Sequence, residues 1–167
     1  QLSPPGPEII YVNEAFTKMT GYTAEEVMGK TPRLLQGPKT NQEDVSKISK
    51  AIRNFEDCEF TLLNYKKNGE EFWLHLNLSP VANDNGWYTH WIAIERNVTE
   101  QKQREDEKNL LADISLIFNE NNFANSVSLM LQKIIEFGDF SVAELWLKDI
   151  NSTHLNLRAY EYANHSG

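Results

Sequence analysis

The chain has 167 residues, of which 40% are hydrophobic and 11% aromatic, and its formal net charge is −8. This length fits one domain, or one domain and part of another, with enough apolar content for a packed core. The acidic balance argues against nucleic acid and membrane surfaces as partners, because both attract clustered Lys and Arg. The single cysteine, Cys58, excludes an intramolecular disulfide. The sequence shows no signal peptide and no run of ~20 apolar residues, so we expect a cytoplasmic location.

Residues 8–55 combine short apolar runs with helix-capping residues. Residues 8–12 are rich in β-branched and aromatic side chains and predict a short strand. Asn13 is a favourable N-cap for a first helix, and residues 23–26 (Thr-Ala-Glu-Glu) resemble a capping box for a second. Residues 41–55 have apolar side chains at helical spacing and predict an amphipathic helix.

Residues 29–38 predict a tight turn between two helical patterns. Arg33 and Gln36 lie three residues apart, so one helical turn brings both polar side chains to the same side. They are therefore candidate ligand-binding residues. The alternative is that they are structural groups, which bond the turn to neighbouring backbone.

From residue 58 the apolar residues alternate with a period of two. Residues 58–66, 70–81 and 87–98 predict three strands of an antiparallel layer in an α+β fold, separated by glycine-containing turns. The middle strand is expected to face the core with Phe72, Leu74, Leu76 and Leu78. The outer face is also partly apolar, which indicates that another element or a partner covers it. Its apolar residues are Leu63, Tyr65, Trp73, Ile92 and Ile94.

Glu95 falls in the inward phase of the third predicted strand. A buried carboxylate is unfavourable unless it is paired or protonated. Two arrangements stay open: a closed Glu95–Arg33 ion pair without ligand, and a ligand-bound site. No Cys/His spacing supports a metal site, since His75 and His90 fall on the outer strand phase. No catalytic triad or phosphate-binding glycine loop can be assembled, so we expect no catalytic residues and no enzymatic activity in this chain.

Several segments occur in the order and at the spacing of a known family. They are residues 10–16, 20–22, 29–40, 64–65, 68–69, 72–73 and 97–100. With these segments, residues 8–104 resemble a PAS domain with its C-terminal PAC motif, and they are most similar to the flavin-binding LOV subgroup. The resemblance implies a five-stranded antiparallel sheet with flanking helices, which senses a ligand or signal and relays it to an effector. The first strand of that sheet would precede residue 4 and is expected to be missing, so either the sequence is a fragment or the strand is supplied from elsewhere.

The LOV resemblance implies a ligand pocket, and this sequence has the LOV residue type at only some of the ligand-contacting positions. Arg33 and Gln36 fall on residues that contact the flavin phosphate and side chain, and Asn64 falls on a residue that contacts the ring. Pro32 falls on the photoactive cysteine and has no nucleophile. No flavin–cysteinyl photoadduct is therefore expected.

Three further positions depart from the LOV pattern. The second phosphate-contacting arginine falls on Ser49, the second ring asparagine on Leu74, and the signalling glutamine on Glu95. Each charge-assisted hydrogen bond contributes about 1.5–3 kcal/mol, so these losses remove much of the selectivity for flavin. We therefore expect no cofactor rather than FMN, with a pocket formed by Arg33, Gln36, Asn64 and Glu95.

Residues 99–121 predict a signalling or linker helix. Asn97 with Glu100 three residues later resembles a capping box at its start. The relay would pass through Glu95, Asn97 and Thr99. An apolar stripe follows, formed by Leu111, Ile114 and Phe118 with Leu110 and Ile117 beside it. We expect a homodimer through this helix and the outer sheet face; the alternative is a linker helix that packs on the next domain.

Residues 122–167 predict one helix, residues 122–137, and two strands, residues 141–147 and 154–162. This order resembles the start of a GAF domain. Two strands cannot close such a core, so either the domain is cut or a partner chain completes it. The expected organisation is a PAS/PAC sensor domain over residues 1–98, the helix over residues 99–121, and the GAF-like unit over residues 122–167.

These features predict a sensory, signal-transducing and dimerisation fragment of a multidomain bacterial protein. We expect the parent to be a sensor histidine kinase of a two-component system. The alternative is a ligand-binding or protein-interaction PAS module of another effector, such as a cyclic-dinucleotide enzyme. The sequence contains neither a histidine phosphoacceptor motif nor an ATP-binding domain, so the effector domains would lie downstream.

Overall fold

The computed structural model describes residues 6–120, 122–148 and 154–163. It divides into two units, residues 1–102 and residues 103–167. The first unit contains helices α1 (Glu14–Thr20), α2 (Ala24–Val27) and α3 (Gln42–Asn54), a 3₁₀ turn (Pro32–Leu35), and strands β1 (Cys58–Tyr65), β2 (Glu71–Ala82) and β3 (Tyr88–Asn97). Helix α4 (Thr99–Glu120) begins in the first unit and continues into the second.

The two predicted helix caps are formed, and a third cap is present at α3. The Asn13 side chain accepts a hydrogen bond from the Phe16 backbone N–H at 3.0 Å. Thr23 and Glu26 form the reciprocal capping box that residues 23–26 predict. Asn41 caps α3 by accepting from the two backbone N–H groups of residues 43 and 44. At each helix start a side-chain oxygen thus accepts from one or two of the free backbone N–H groups. The residue types that do so are recognisable in the sequence, and the helix starts can be predicted from them.

The predicted strand at residues 8–12 is wrong. Ile9 makes one pair of backbone hydrogen bonds, in which its N–H donates to Lys30 O at 2.8 Å and its carbonyl accepts from Gly29 N at 2.9 Å. No ladder continues from this pair, because the opposite segment enters the 3₁₀ turn at Pro32 and α1 begins at Glu14. The β-branched residues favour an extended backbone in this segment, but a β-strand needs a neighbouring extended segment that continues for several residues.

Strands β1, β2 and β3 form an antiparallel sheet in the order β1-β2-β3. The predicted alternation is confirmed in β2, where Phe72, Leu74 and Leu78 are buried on the inner face. Leu76, on the same face, lies opposite Glu95 of β3. Within the described residues this sheet has three strands rather than the five that the LOV resemblance implies. On its outer face Ile92 and Ile94 are 54% and 67% exposed.

An aromatic stack joins the end of α3 to β3. Phe55 caps α3 in the left-handed conformation, with a φ of 57°. Its ring lies parallel to those of Tyr88 (centroids 4.8 Å apart) and Trp91 (6.2 Å). A bulky residue is unfavourable at positive φ, so the stacking offsets part of the cost of this conformation.

The second unit contains α5 (Phe123–Gly138) and a hairpin of β4 (Val142–Lys148) and β5 (Leu155–Tyr162). The helix and both strands occur where the sequence predicts them. Val127, Leu131 and Ile135 form a buried stripe on α5. The buried Ser126 donates a hydrogen bond to the carbonyl of Ile117 at 3.0 Å, which connects the start of α5 to the end of α4. No helix of the described part of the chain is long and apolar enough to cross a membrane.

Candidate functional site

A cavity of about 530 Å³ lies in the first unit. Its walls come from the 3₁₀ turn, from α3 and from the inner face of the sheet, and most of its lining side chains are aliphatic. This volume falls within the range of about 300–1,000 Å³ that is usual for small-molecule sites, which are also mostly apolar with a few polar groups. The cavity therefore has the size and the lining of a ligand site.

All four predicted ligand-binding residues line this cavity: Arg33, Gln36, Asn64 and Glu95. They come from three separate segments, the turn, β1 and β3, which the fold brings together. The structure thus shows a common location for the four side chains. Their role in binding stays a prediction.

The turn that carries Arg33 and Gln36 is fixed by the residues that follow it. The buried Thr40 hydroxyl accepts from Gly37 N at 2.9 Å and donates to the carbonyl of Leu63 in β1 at 2.8 Å. The ring of Tyr65 packs so closely on Gly37 that a Cβ there would lie 2.3 Å from ring atoms. Gly37 is needed for this close approach. The turn is therefore held against β1.

Asn64 is the deepest polar group of the cavity. Its side chain is 4% exposed, and its Oδ1 is the one buried side-chain oxygen or nitrogen in the described residues without a hydrogen-bond partner. An unsatisfied buried acceptor costs about 1–3 kcal/mol, and such groups are rare in native proteins. An N–H donor inside the cavity would satisfy this oxygen.

The Glu95 carboxyl also faces the cavity, from the inner face of β3. Burial raises its pKa, and no positive charge lowers it. Among the described residues Glu95 forms no ion pair with Arg33, so the closed pair that the sequence left open is not formed. The raised pKa favours the protonated carboxyl more than in a solvent-exposed glutamate, and a protonated carboxyl can donate as well as accept a hydrogen bond.

Sequence reasoning missed Arg53, which also lines the cavity. It lies on α3 one helical turn after Ser49, the position on which the LOV resemblance places a phosphate-contacting arginine. Ser49 cannot substitute for that cation, and its hydroxyl donates to the carbonyl of Val45 at 2.8 Å. The spacing of four residues was the signal that could have revealed Arg53, because residues i and i+4 share a helix face.

The junction between β3 and α4 differs from the predicted capping box. The first helical hydrogen bond runs from Lys102 N to Val98 O, so Val98 occupies the N-cap position and Asn97 precedes it. Asn97 Oδ1 instead accepts from both the N–H and the hydroxyl of Thr99, at 3.0 and 2.6 Å. The Thr99 hydroxyl in turn accepts from Trp73 N at 2.9 Å.

The described residues show no cluster for a metal ion, and their one cysteine is not activated. No group of three or more His, Cys, Asp or Glu side chains there could hold a metal ion. Cys58 is a free, half-buried cysteine at the start of β1. Burial and, to a lesser extent, the charge of Asp57 raise the pKa of its thiol, which disfavours the reactive thiolate.

Comparison with known proteins assigns this fold to a family. The PAS domain family matches residues 2–100, more than half of the chain, and the chain belongs to this family. A blue-light-activated histidine kinase of Brucella anthropi is 44% identical over 95 residues, which are 57% of this chain and 19% of the relative. A bacterioopsin transcriptional activator of Halobacterium salinarum is 36% identical over 103 residues, 62% of this chain and 15% of the relative.

The solved structures include a similar domain. The LOV domain of the blue-light activated histidine kinase EL346 of Erythrobacter litoralis is 40% identical, with a TM-score of 0.51, over 55% of this chain and 84% of that one. The structure thus has the PAS/LOV fold, an antiparallel sheet with flanking helices. The chain spans less than a fifth of the length of the two curated relatives that it matches.

Proposed function

We propose that residues 6–102 form a ligand-binding sensory domain of a multidomain signalling protein, whose effector is a histidine kinase. The observation that carries this proposal is the buried, unpartnered Oδ1 of Asn64 in a cavity of about 530 Å³. A protein without a ligand there would gain by having an apolar side chain at this position. The similarity to blue-light-activated histidine kinases supports the same sensory role.

The cavity residues fit the polar groups of a flavin better than the sequence alone indicated. Asn64 offers an acceptor for a ring N–H, and the Glu95 carboxyl, whose pKa burial raises, accepts a hydrogen bond and, when it is protonated, also donates one where the LOV subgroup has an amide. Arg33 and Gln36 line the same cavity. Leu74 remains apolar on the inner face of β2. A bound flavin would supply absorption of blue light, and Pro32 provides no nucleophile, so we expect any binding to be non-covalent.

Reconstitution tests this proposal directly. The purified chain is incubated with FMN and with riboflavin, and the absorption spectrum and thermal unfolding are measured after removal of free ligand. We expect at least one of the two to be retained and to raise the unfolding temperature. If neither binds, flavin is excluded as the ligand, and the earlier expectation of no cofactor is supported.

A substitution of Asn64 separates a binding role from a structural one. Asn64→Leu removes an unsatisfied acceptor, so the ligand-free protein should be as stable as the wild type or more stable by about 1 kcal/mol. The same variant should lose retention of flavin. Asn77→Leu in β2 is the matched control, because Asn77 does not line the cavity and bonds His75 instead. A strong loss of stability in Asn64→Leu would assign the residue a structural role.

The proposed relay runs along β3 to α4. Glu95 faces the cavity, and two residues later Asn97 bonds Thr99, the first residue of α4. A change in the protonation or hydrogen bonding of Glu95 would thus act close to the start of the helix. We further propose homodimerisation through α4 and the outer sheet face. Support comes from the exposure of Leu111 (64%) and Phe118 (39%) on α4 and of Ile94 on β3.

A second candidate places the same sensory domain before another effector. The bacterioopsin transcriptional activator of Halobacterium salinarum favours it, because that relative shares this domain without being described as a kinase. The second unit, proposed as the start of a GAF-like domain from its helix followed by a β-hairpin, is compatible with either effector. The two candidates are distinguished by assaying autophosphorylation of the longest natural protein that contains this chain.

A further inference from the structure

We infer that the hairpin face, the side of β4 and β5 that points away from α5, pairs with the same face of a second copy of this chain. The inference rests on the proposed homodimer and adds a contact to it. It also assigns a partner to a set of exposed apolar side chains that the proposed function does not use.

The opposite side of the hairpin is already covered by α5. Glu161 on β5 accepts hydrogen bonds from the Ser128 hydroxyl and from Gln132 Nε2 of α5, the latter at 3.5 Å. Since side chains alternate along a strand, the residues on either side of Glu161 and their cross-strand neighbours point away from α5. These residues belong to the hairpin face.

The hairpin face is mainly apolar. Trp146 Nε1 donates to Glu144 Oε2 at 2.8 Å, and the rings of Tyr160 and Tyr162 lie edge to face with centroids 5.5 Å apart. These contacts between residues two apart agree with a common face. Six large apolar or aromatic side chains in the described part of this face are each 42–66% exposed. They are Val142, Trp146, Leu155, Leu157, Tyr160 and Tyr162.

The area of this face suits a dimer. A large apolar side chain that is half exposed leaves about 100 Å² accessible, since full burial of an aromatic residue removes about 150–250 Å². Two copies that cover each other would bury about 1,200 Å² of apolar surface, the lower end of the range for specific interfaces. On α4 the exposed Leu111 and Phe118 offer about a third of that area. Both surfaces lie in the second unit, so we place them in one dimer, which a charge in either should dissociate.

The order of side chains on the hairpin face is self-complementary. Glu144 and Lys148 lie two residues before and two residues after Trp146 on β4. A two-fold axis between the Trp146 side chains of two stacked faces makes the β4 strands antiparallel, so Glu144 meets the partner's Lys148. The cross-strand neighbours of these charged residues are Tyr160 and Leu155. The same axis stacks Tyr160 on the partner's Leu155. Opposite charges therefore meet each other, and apolar groups meet apolar groups.

A charge-reversal cycle tests this pairing. Glu144→Lys, Lys148→Glu and the double variant are compared with the wild-type chain by sedimentation equilibrium, and circular dichroism confirms that each is folded. Both side chains are exposed, so the fold should tolerate the changes. Glu136→Lys is the matched control, because it makes the same change of charge at an exposed position of α5.

We expect each single reversal to raise the dimer dissociation constant by about tenfold or more, because the two-fold axis creates two pairs of like charges. The double variant restores opposite charges and should return to within about threefold of the wild type. Glu136→Lys should leave the constant unchanged. Restoration separates pairing between copies from a local role of Glu144, because the double variant also lacks the hydrogen bond from Trp146.

Three results would overturn the inference. If both single reversals leave the dimer intact, the hairpin face lies outside the interface and is left for another partner, while dimerisation through α4 stands. A double variant that dimerises no better than the single ones would exclude this two-fold arrangement. A monomeric wild-type chain would remove the hairpin contact and the proposed homodimer together, but it would leave the ligand-binding function of the first unit standing.

Discussion

The Thr99 hydroxyl accepts a hydrogen bond from the backbone N–H of Trp73 at 2.9 Å. Trp73 lies on β2, and Thr99 is the first residue of α4. The neighbouring Val98 N donates to the carbonyl of Trp73 at 2.9 Å, so both backbone groups of Trp73 are bonded to the junction. The start of α4 is therefore attached to the central strand of the sheet as well as to the strand that precedes it in sequence.

Replacement of Thr99 should weaken this attachment. Thr99→Val keeps the β-branched shape but leaves the Trp73 N–H without its acceptor, so we expect a loss of about 1–2 kcal/mol in the free energy of unfolding. Hydrogen exchange at the Trp73 amide should become faster. Thr99→Ser retains the hydroxyl and should behave like the wild type. Equal exchange rates in the Val and Ser variants would contradict the assigned role of the hydroxyl.

Glu95→Gln should change the pH dependence of stability. Because burial raises the pKa of the Glu95 carboxyl, the folded protein binds this proton more tightly than the unfolded chain does. The resulting stabilisation is complete below the unfolded pKa and is lost as pH rises through the folded pKa. The Gln variant should therefore gain stability relative to the wild type as pH rises from the unfolded pKa of about 4.3 through the raised folded pKa. Urea unfolding across this range measures the difference, and a constant offset would contradict the prediction.

Gly37→Ala should displace the turn that carries Arg33 and Gln36. The added Cβ would lie 2.3 Å from the ring of Tyr65, so either the turn or the ring must move, at a cost of about 1–3 kcal/mol. Tyr65→Leu removes the ring and serves as the second arm of a double-mutant cycle. We expect Gly37→Ala to be less destabilising in a protein that already carries Tyr65→Leu than in the wild type. If the changes in unfolding free energy of the two variants are strictly additive, the contact with Tyr65 is not what excludes a side chain at position 37.

Charge on the apolar stripe of α4 should dissociate the proposed dimer. Ile114→Asp tests the stripe at its centre, and Leu111→Asp tests it at a side chain that is 64% exposed and therefore lies outside the core. Sedimentation should show a monomer for both variants. Asn109→Asp lies on the opposite helix face and is the control, which should remain dimeric. A dimeric Leu111→Asp protein would remove α4 from the interface.

The sequence predicted those parts of the fold that depend on local patterns. The period of two in β2 and β3 placed Leu74 and Glu95 on the inner face, since alternation alone determines which side chains share a face of a strand. The side-chain caps at Asn13 and Thr23 marked helix starts in the same way. These features require only neighbouring residues, so they are visible without a structure.

The incorrect predictions depend on contacts that local patterns do not contain. Residues 8–12 have strand-forming side chains but meet only a short partner before the 3₁₀ turn. Asn97 has the side chain of an N-cap, yet its carboxamide bonds Thr99 because α4 begins two residues later. Arg53 was missed because the family resemblance was applied position by position, and the matching position is Ser49. Arg53 lies one helical turn later on the same face of α3 and also lines the cavity.

The aromatic stack at Phe55 joins two walls of the cavity. The walls are formed by α3 and β3, and the parallel rings of Phe55, Tyr88 and Trp91 connect the end of one to the other. Each such aromatic pair contributes about 0.5–1.5 kcal/mol beyond the area that it buries. A ligand that needed a wider cavity would have to break these contacts, so the stack limits the thickness of the molecules that can enter.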